Sequence, residues 1–214
     1  MNETEATAAA YNQPREWLLW TAATAGGWLI GTSINYLLST IVSMTDLGAA
    51  LNADPADIPQ STILVFMGLS LAMLLIVGLS VGALQWLLLR RHLAGLHQWA
   101  IFTALGFALG SFAFLAFMGV GAGLMQWLLL RRNLNKAGWW PVVSALAWPV
   151  GYMFGGGLGA ALGTAVGSLF LGALLGAAFT GVIIGAITGA LLLWLLRKNR
   201  ALLDGLRAEA ELAR

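Results

Sequence analysis

The chain has no cysteine. That excludes a disulfide, a thiolate metal site and a cysteine nucleophile, and it leaves the redox compartment unread. Charge is scarce too. Asp, Glu, Lys and Arg make up 9% of 214 residues, against about 25% in soluble domains. None of the four occurs in residues 18–45, 61–89, 98–130 or 137–196. Each stretch exceeds the ~20 apolar residues needed to cross a bilayer core. The sequence therefore reads as an all-α, polytopic helical membrane protein. The same gaps restrict chemistry. Proton-coupled transporters and voltage sensors place ionisable groups inside such spans, and this chain places none there. No His-Glu-x-x-His motif, paired intramembrane Asp or Ser with His or Lys is available for hydrolysis, and no nucleotide-binding glycine loop is present. The expectation is a protein that is not an enzyme and carries no metal or cofactor. His92 and His97 are five residues apart, out of phase for one helical face, and both lie at a membrane boundary.

What is present is repetition. Gln85-Trp86-Leu87-Leu88-Leu89-Arg90-Arg91 recurs unchanged as Gln126-Trp127-Leu128-Leu129-Leu130-Arg131-Arg132. The same small-residue spacing precedes each, Gly78/Gly82 and Gly119/Gly123. A degraded third copy runs Gly185, Gly189, Trp194, Arg197, Lys198, with Leu192 where the glutamine would fall. A second motif comes ahead of these. Trp20-x3-Thr24-Ala25 with Trp28 and Gly31 matches Trp99-x3-Thr103-Ala104 with Phe107 and Gly110, and Trp140-x3-Ser144-Ala145 with Trp148 and Gly151. The unit is a Trp-led helix followed by a helix that ends in a basic pair, and it occurs three times.

Charge sets the expected topology. Arg90/Arg91, Arg131/Arg132 and Arg197/Lys198 mark three basic boundaries, and residues 46–60 hold three Asp without Lys or Arg. Short basic loops stay cytoplasmic. The chain divides into a cytoplasmic segment 1–16, a hairpin 17–91 with an external loop 46–60, a short hairpin 98–132, a glycine-rich hairpin 139–198 and a cytoplasmic C-terminal helix 199–214. That makes six spans. The short middle unit also permits one long tilted helix over 98–130, which makes five. Met1-Asn2-Glu3-Thr4-Glu5 lacks a basic n-region, so no cleavable signal peptide is expected. In the external loop, Thr45-Asp46 reads as the cap of a short surface helix.

Glycine is the packing residue. Gly151, Gly155, Gly159, Gly163 and Gly167 fall every fourth position, and Gly185/Gly189 repeat the spacing. In lipid, such faces let helix backbones approach closely. Gln85 and Gln126 are expected to meet near a pseudo-symmetry axis as interhelical glue, or with Asn35 to line a solute path. Arg90, Arg91, Arg131, Arg132, Arg197 and Lys198 hold the topology, and a cluster of them could bind anionic headgroups or an acidic partner.

These motifs resemble a loose group of uncharacterised multi-pass proteins of cyanobacteria, Chloroflexota and similar bacteria, in which the repeats occur alone or fused to soluble modules. The third copy departs from the pattern by lacking its Gln. The resemblance implies repeated GxxxGxxQWLLLRR hairpins and a bacterial cytoplasmic membrane, and it brings no activity with it. The expected role is that of a structural or accessory subunit of a membrane complex, with lipid and further protein chains as partners, as a homo-oligomer or in a larger assembly, and with no nucleic acid. The alternatives are a channel for a neutral or hydrophobic solute and a lipid-interacting protein.

Overall fold

In hydrocarbon every backbone N–H and C=O must be satisfied within its own segment, and a long apolar run does this by forming a helix. The computed structural model describes residues 13–51, 54, 58–93, 95–112 and 118–200, and among these it is all-α with no strand. The helices are α1 (Gln13–Ser43), α2 (Asp46–Leu51), α3 (Gln60–Leu89), α4 (Trp99–Ser111), α5 (Met118–Leu130), α6 (Trp139–Gly151), α7 (Gly157–Ala165) and α8 (Leu169–Lys198). A π-helical turn, Tyr152–Gly156, joins α6 to α7. Among the described residues three helices are long and apolar enough to cross a membrane: Gln60–Leu89, the continuous run Trp139–Ala165, and Leu169–Lys198. α4 and α5 have 13 residues each, about 20 Å at the usual rise, against a core of ~30 Å. They are separate helices packed side by side, with Gly106 of α4 against Ala122 of α5, so 98–130 does not form one long helix.

The elements close into a ring. α1 packs on α3, α3 on α4, α4 on α5, α5 on α6, α6 on α8, and α8 on α1. Large apolar side chains such as Leu37, Leu64, Leu105 and Leu146 point outward, and small residues occupy the seams. A Cβ added at Gly78 would stand 2.5 Å from the Ala104 Cα. One at Gly82 would stand 2.6 Å from the Ala100 Cα, and one at Gly181 2.5 Å from the Ala25 Cα. Gly119 and Gly123 lie against Trp148 and Ser144, and Gly185 and Gly189 against Thr21 and Trp20.

The period-four glycines show why the π turn matters. Four residues advance an α-helix by about 400°, so each step drifts about 40° off the starting face. From Gly151 to Gly163 the drift would reach about 120°. One extra residue in a π turn returns about 100° of it. Gly151, Gly155, Gly159 and Gly163 thus all face α8, meeting Ile184, Thr180, Gly176 and Gly172 in turn. Gly167 does not belong to this row. It ends the helix with φ +64° in the turn to α8, and a Cβ there would meet nothing. Its role is the left-handed backbone that lets the chain reverse.

The loops after α3 and α5 are built alike. Leu93 and Leu96 tuck under the bundle in one, and Leu134 and Ala137 in the other. Each carries a left-handed residue at the same position, Gly95 (φ 75°) and Lys136 (φ 64°). α2 forms as a short helix, and the Thr45 hydroxyl just before it donates to the Val42 carbonyl at the end of α1. Of the expected C-terminal helix 199–214, only Asn199 and Arg200 lie within the described residues.

Candidate functional site

Positions four apart on a helix share a face, so Trp20/Thr24/Trp28, Trp99/Thr103/Phe107 and Trp140/Ser144/Trp148 are three matching stripes. The ring turns all three inward. Trp20, Trp99 and Trp140 meet edge to face, with centroids 6.4, 6.0 and 6.1 Å apart. One turn or two deeper, Trp28, Phe107 and Trp148 form a second triad at 6.1, 5.5 and 4.6 Å. Contacts of this kind contribute about 0.5–1.5 kcal/mol each beyond their buried area. The two triads seal the centre above and below.

Between them lies a polar ring. The Trp99 Nε1–H donates to Gln85 Oε1 at 3.1 Å, and the Gln85 amide donates to Thr24 Oγ1 at 3.0 Å. The next copy repeats this: Trp140 Nε1–H donates to Gln126 Oε1 at 2.8 Å, and the Gln126 amide donates to Thr103 Oγ1 at 2.9 Å. Gln126 also reaches Gln85 Oε1 at 3.4 Å, so the two glutamines are neighbours. Thr24 and Thr103 return their hydroxyl protons to the Trp20 and Trp99 carbonyls one turn back. The third copy has Leu192 in the glutamine position, and Trp20 Nε1–H donates instead to Thr188 Oγ1 at 3.0 Å. Thr24, Thr103, Thr188 and Gln85 are all buried, as are Gln126 and Ser144. A cavity of about 20 Å³ lies among these side chains.

Asn35 does not join the glutamines. It lies eleven residues beyond Thr24 on α1, about 16 Å along the axis, and its amide donates to the Met73 carbonyl of α3 at 3.0 Å. The expected shared path of Gln85, Gln126 and Asn35 is therefore not assembled, because the second aromatic triad stands between them.

The basic pairs are exposed at one end. Arg90 lies over the Trp86 ring at 5.2 Å and Arg131 over the Trp127 ring at 5.0 Å. Arg91, Arg132, Arg197 and Lys198 are exposed beside them. His92 Nε2 stands 3.2 Å from a Glu16 carboxylate oxygen. Sequence reasoning passed over Asn199, a buried side chain that accepts from the Asn135 backbone N–H at 2.7 Å and donates to the Asn135 carbonyl at 3.1 Å. It ties the loop after α5 to the end of α8. The only signal was its place directly after a basic pair, shared with His92 and Asn133. The Thr/Ser four residues after each Trp was visible in the repeat, but its bond to a glutamine was not.

One groove opens sideways. Trp28, Thr32, Tyr152, Gly159, Gly172 and Thr180 line a recess of about 340 Å³ at the other end of the molecule from the arginines. Trp28 is buried, and its Nε1–H has no partner among the described residues. Among the described residues no three His, Asp or Glu side chains are grouped to hold a metal ion. Compared with known proteins, the chain matches no family model, no curated relative and no solved structure.

Proposed function

We propose that the protein is a non-enzymatic integral membrane protein that acts as a structural or accessory subunit of a membrane complex. In this reading its helices make six crossings as three hairpins of a bacterial cytoplasmic membrane, with both termini and all basic pairs inside. The observation that carries it is the sealed centre. Gln85 and Gln126 spend their amides on internal bonds, and two aromatic triads close the axis on either side. A conduit needs polar groups that face a path, and these face one another. The short α4–α5 pair is consistent with a locally thinned bilayer. The absence of cysteine makes the chain ready for accessibility labelling. Gly138→Cys, in an exposed loop where a side chain meets nothing, should label only from the cytoplasmic side, and Met44→Cys only from outside. Labelling of Gly138→Cys in intact cells removes the six-span reading. Mild native extraction should yield the chain with a second copy or other chains; a lone monomer counts against the subunit role.

A second reading, interaction with lipid or another apolar molecule, is favoured by the lateral groove and its unpartnered Trp28 donor. Mass spectrometry of the purified protein should then find a retained apolar molecule, lost on Gly156→Leu, which enters the groove at a position where a Cβ meets no neighbour.

A further inference from the structure

The polar ring is cyclic in its pattern and incomplete in one place. Each glutamine accepts from the tryptophan of the following copy and donates to the Thr of its own copy. Carried around once more, residue 192 would accept from Trp20 and donate to Ser144. Residue 192 is leucine. Thr188 takes over the first duty, since its hydroxyl accepts from Trp20. Nothing takes over the second. Ser144 is 2% exposed, and its Oγ has no hydrogen-bond partner among the described residues. Its hydroxyl is turned toward Gly123 of α5, 3.2 Å from where a Cβ would stand there. Thr24 and Thr103, by contrast, donate back along their own helices.

Ser144 lines the cavity of about 20 Å³ together with Gln85, Gln126, Thr103 and Thr188. A cavity needs about 10–15 Å³ to hold one water, and the water needs two to four polar partners. The volume suffices for one water, and the Ser144, Gln85, Gln126, Thr103 and Thr188 oxygens around it supply the polar partners. We propose that this is a binding site for a single structural water, held by Ser144 and by spare lone pairs of the Gln85, Gln126 or Thr188 oxygens. It does for the third copy what the glutamine amide does for the other two. The site takes a small neutral donor–acceptor molecule; it presents no carboxylate for a cation. The water is then a fixed member of the bundle, and the leucine in the third copy is compensated twice, once by Thr188 and once by solvent.

The experiment is a structure of the full chain in nanodiscs at water-resolving resolution, paired with thermal unfolding of two variants. In the wild type, density for one water should lie within hydrogen-bond distance of Ser144 Oγ. Leu192→Gln should replace that density with its amide and raise the unfolding midpoint by about 2–4 °C. Ser144→Ala, which tests the site even where Leu192→Gln does not fold, should lose the water and lower the midpoint. The proposal is overturned by a dry cavity with the Ser144 hydroxyl rotated to donate to the Trp140 carbonyl. It is equally overturned by a Ser144→Ala protein as stable as the wild type or more so, the behaviour of a group that had no partner to lose.

Discussion

Replacing Gln126 with leucine would give the second copy the residue that the third already has, but without a Thr188 to stand in. Three bonds disappear: from the Trp140 indole at 2.8 Å, to Thr103 at 2.9 Å and the longer one to Gln85 at 3.4 Å. Trp140 is 1% exposed, so its N–H is left buried without a partner. That costs about 1–3 kcal/mol. The lost amide bond adds about 0.6–1.7 kcal/mol, the range measured for polar contacts between membrane helices. Thr103 contributes little further, because its hydroxyl still donates to the Trp99 carbonyl. The sum is about 2–5 kcal/mol. At about 2–4 °C per kcal/mol for a chain of this size, the midpoint should fall by about 4–20 °C. Circular dichroism at 222 nm in one fixed detergent would measure it. The reasoning also specifies a partial rescue. Trp140→Phe removes the orphaned donor while keeping an aromatic ring against Trp20 and Trp99, so the double variant should lose less than the two singles added together. A Gln126→Leu midpoint within about 1 °C of the wild type, or strict additivity in the double variant, would refute the network as a source of stability.

Further outcomes follow from the seams and loops. Gly78→Ala should destabilise, because its Cβ would press on the Ala104 backbone at 2.5 Å. Gly68→Ala, in the same helix with nothing within 4 Å, should be neutral or stabilising by up to about 1 kcal/mol; equal losses at both sites would undo the packing argument. Gly159→Leu should break the α7–α8 crossing, where Gly159 lies 2.5 Å by its would-be Cβ from the Gly176 Cα, and should show as lower yield of folded protein. Asn199→Ala should leave the bundle folded and speed hydrogen exchange at the Asn135 amide by roughly tenfold or more, since that amide loses its acceptor at 2.7 Å. Unchanged exchange there would show that the loop is held by Leu134 alone.

Much of this architecture could be read from residue order. Apolar run length determined that the chain is helical, because hydrocarbon leaves the backbone no other partner. The repeat located Gln85 and Gln126, and the fourfold glycine spacing pointed to close helix contacts. Other features depended on geometry that no local pattern encodes. A π turn at Tyr152–Gly156 keeps four of the five glycines on one face and releases Gly167 to a turn. Trp20, Trp99 and Trp140 are legible in the sequence only as the leads of a repeated motif, and it is ring closure that turns their faces inward and leaves them 0–2% exposed. Asn35 is as polar as the glutamines, but its place on α1 sets it beyond the second triad. The sequence by itself determined where polar groups sit along each helix and which spans carry none. Only the tertiary structure decided which of them meet, because a hydrogen bond between residues 61 or 168 positions apart depends on closing the ring.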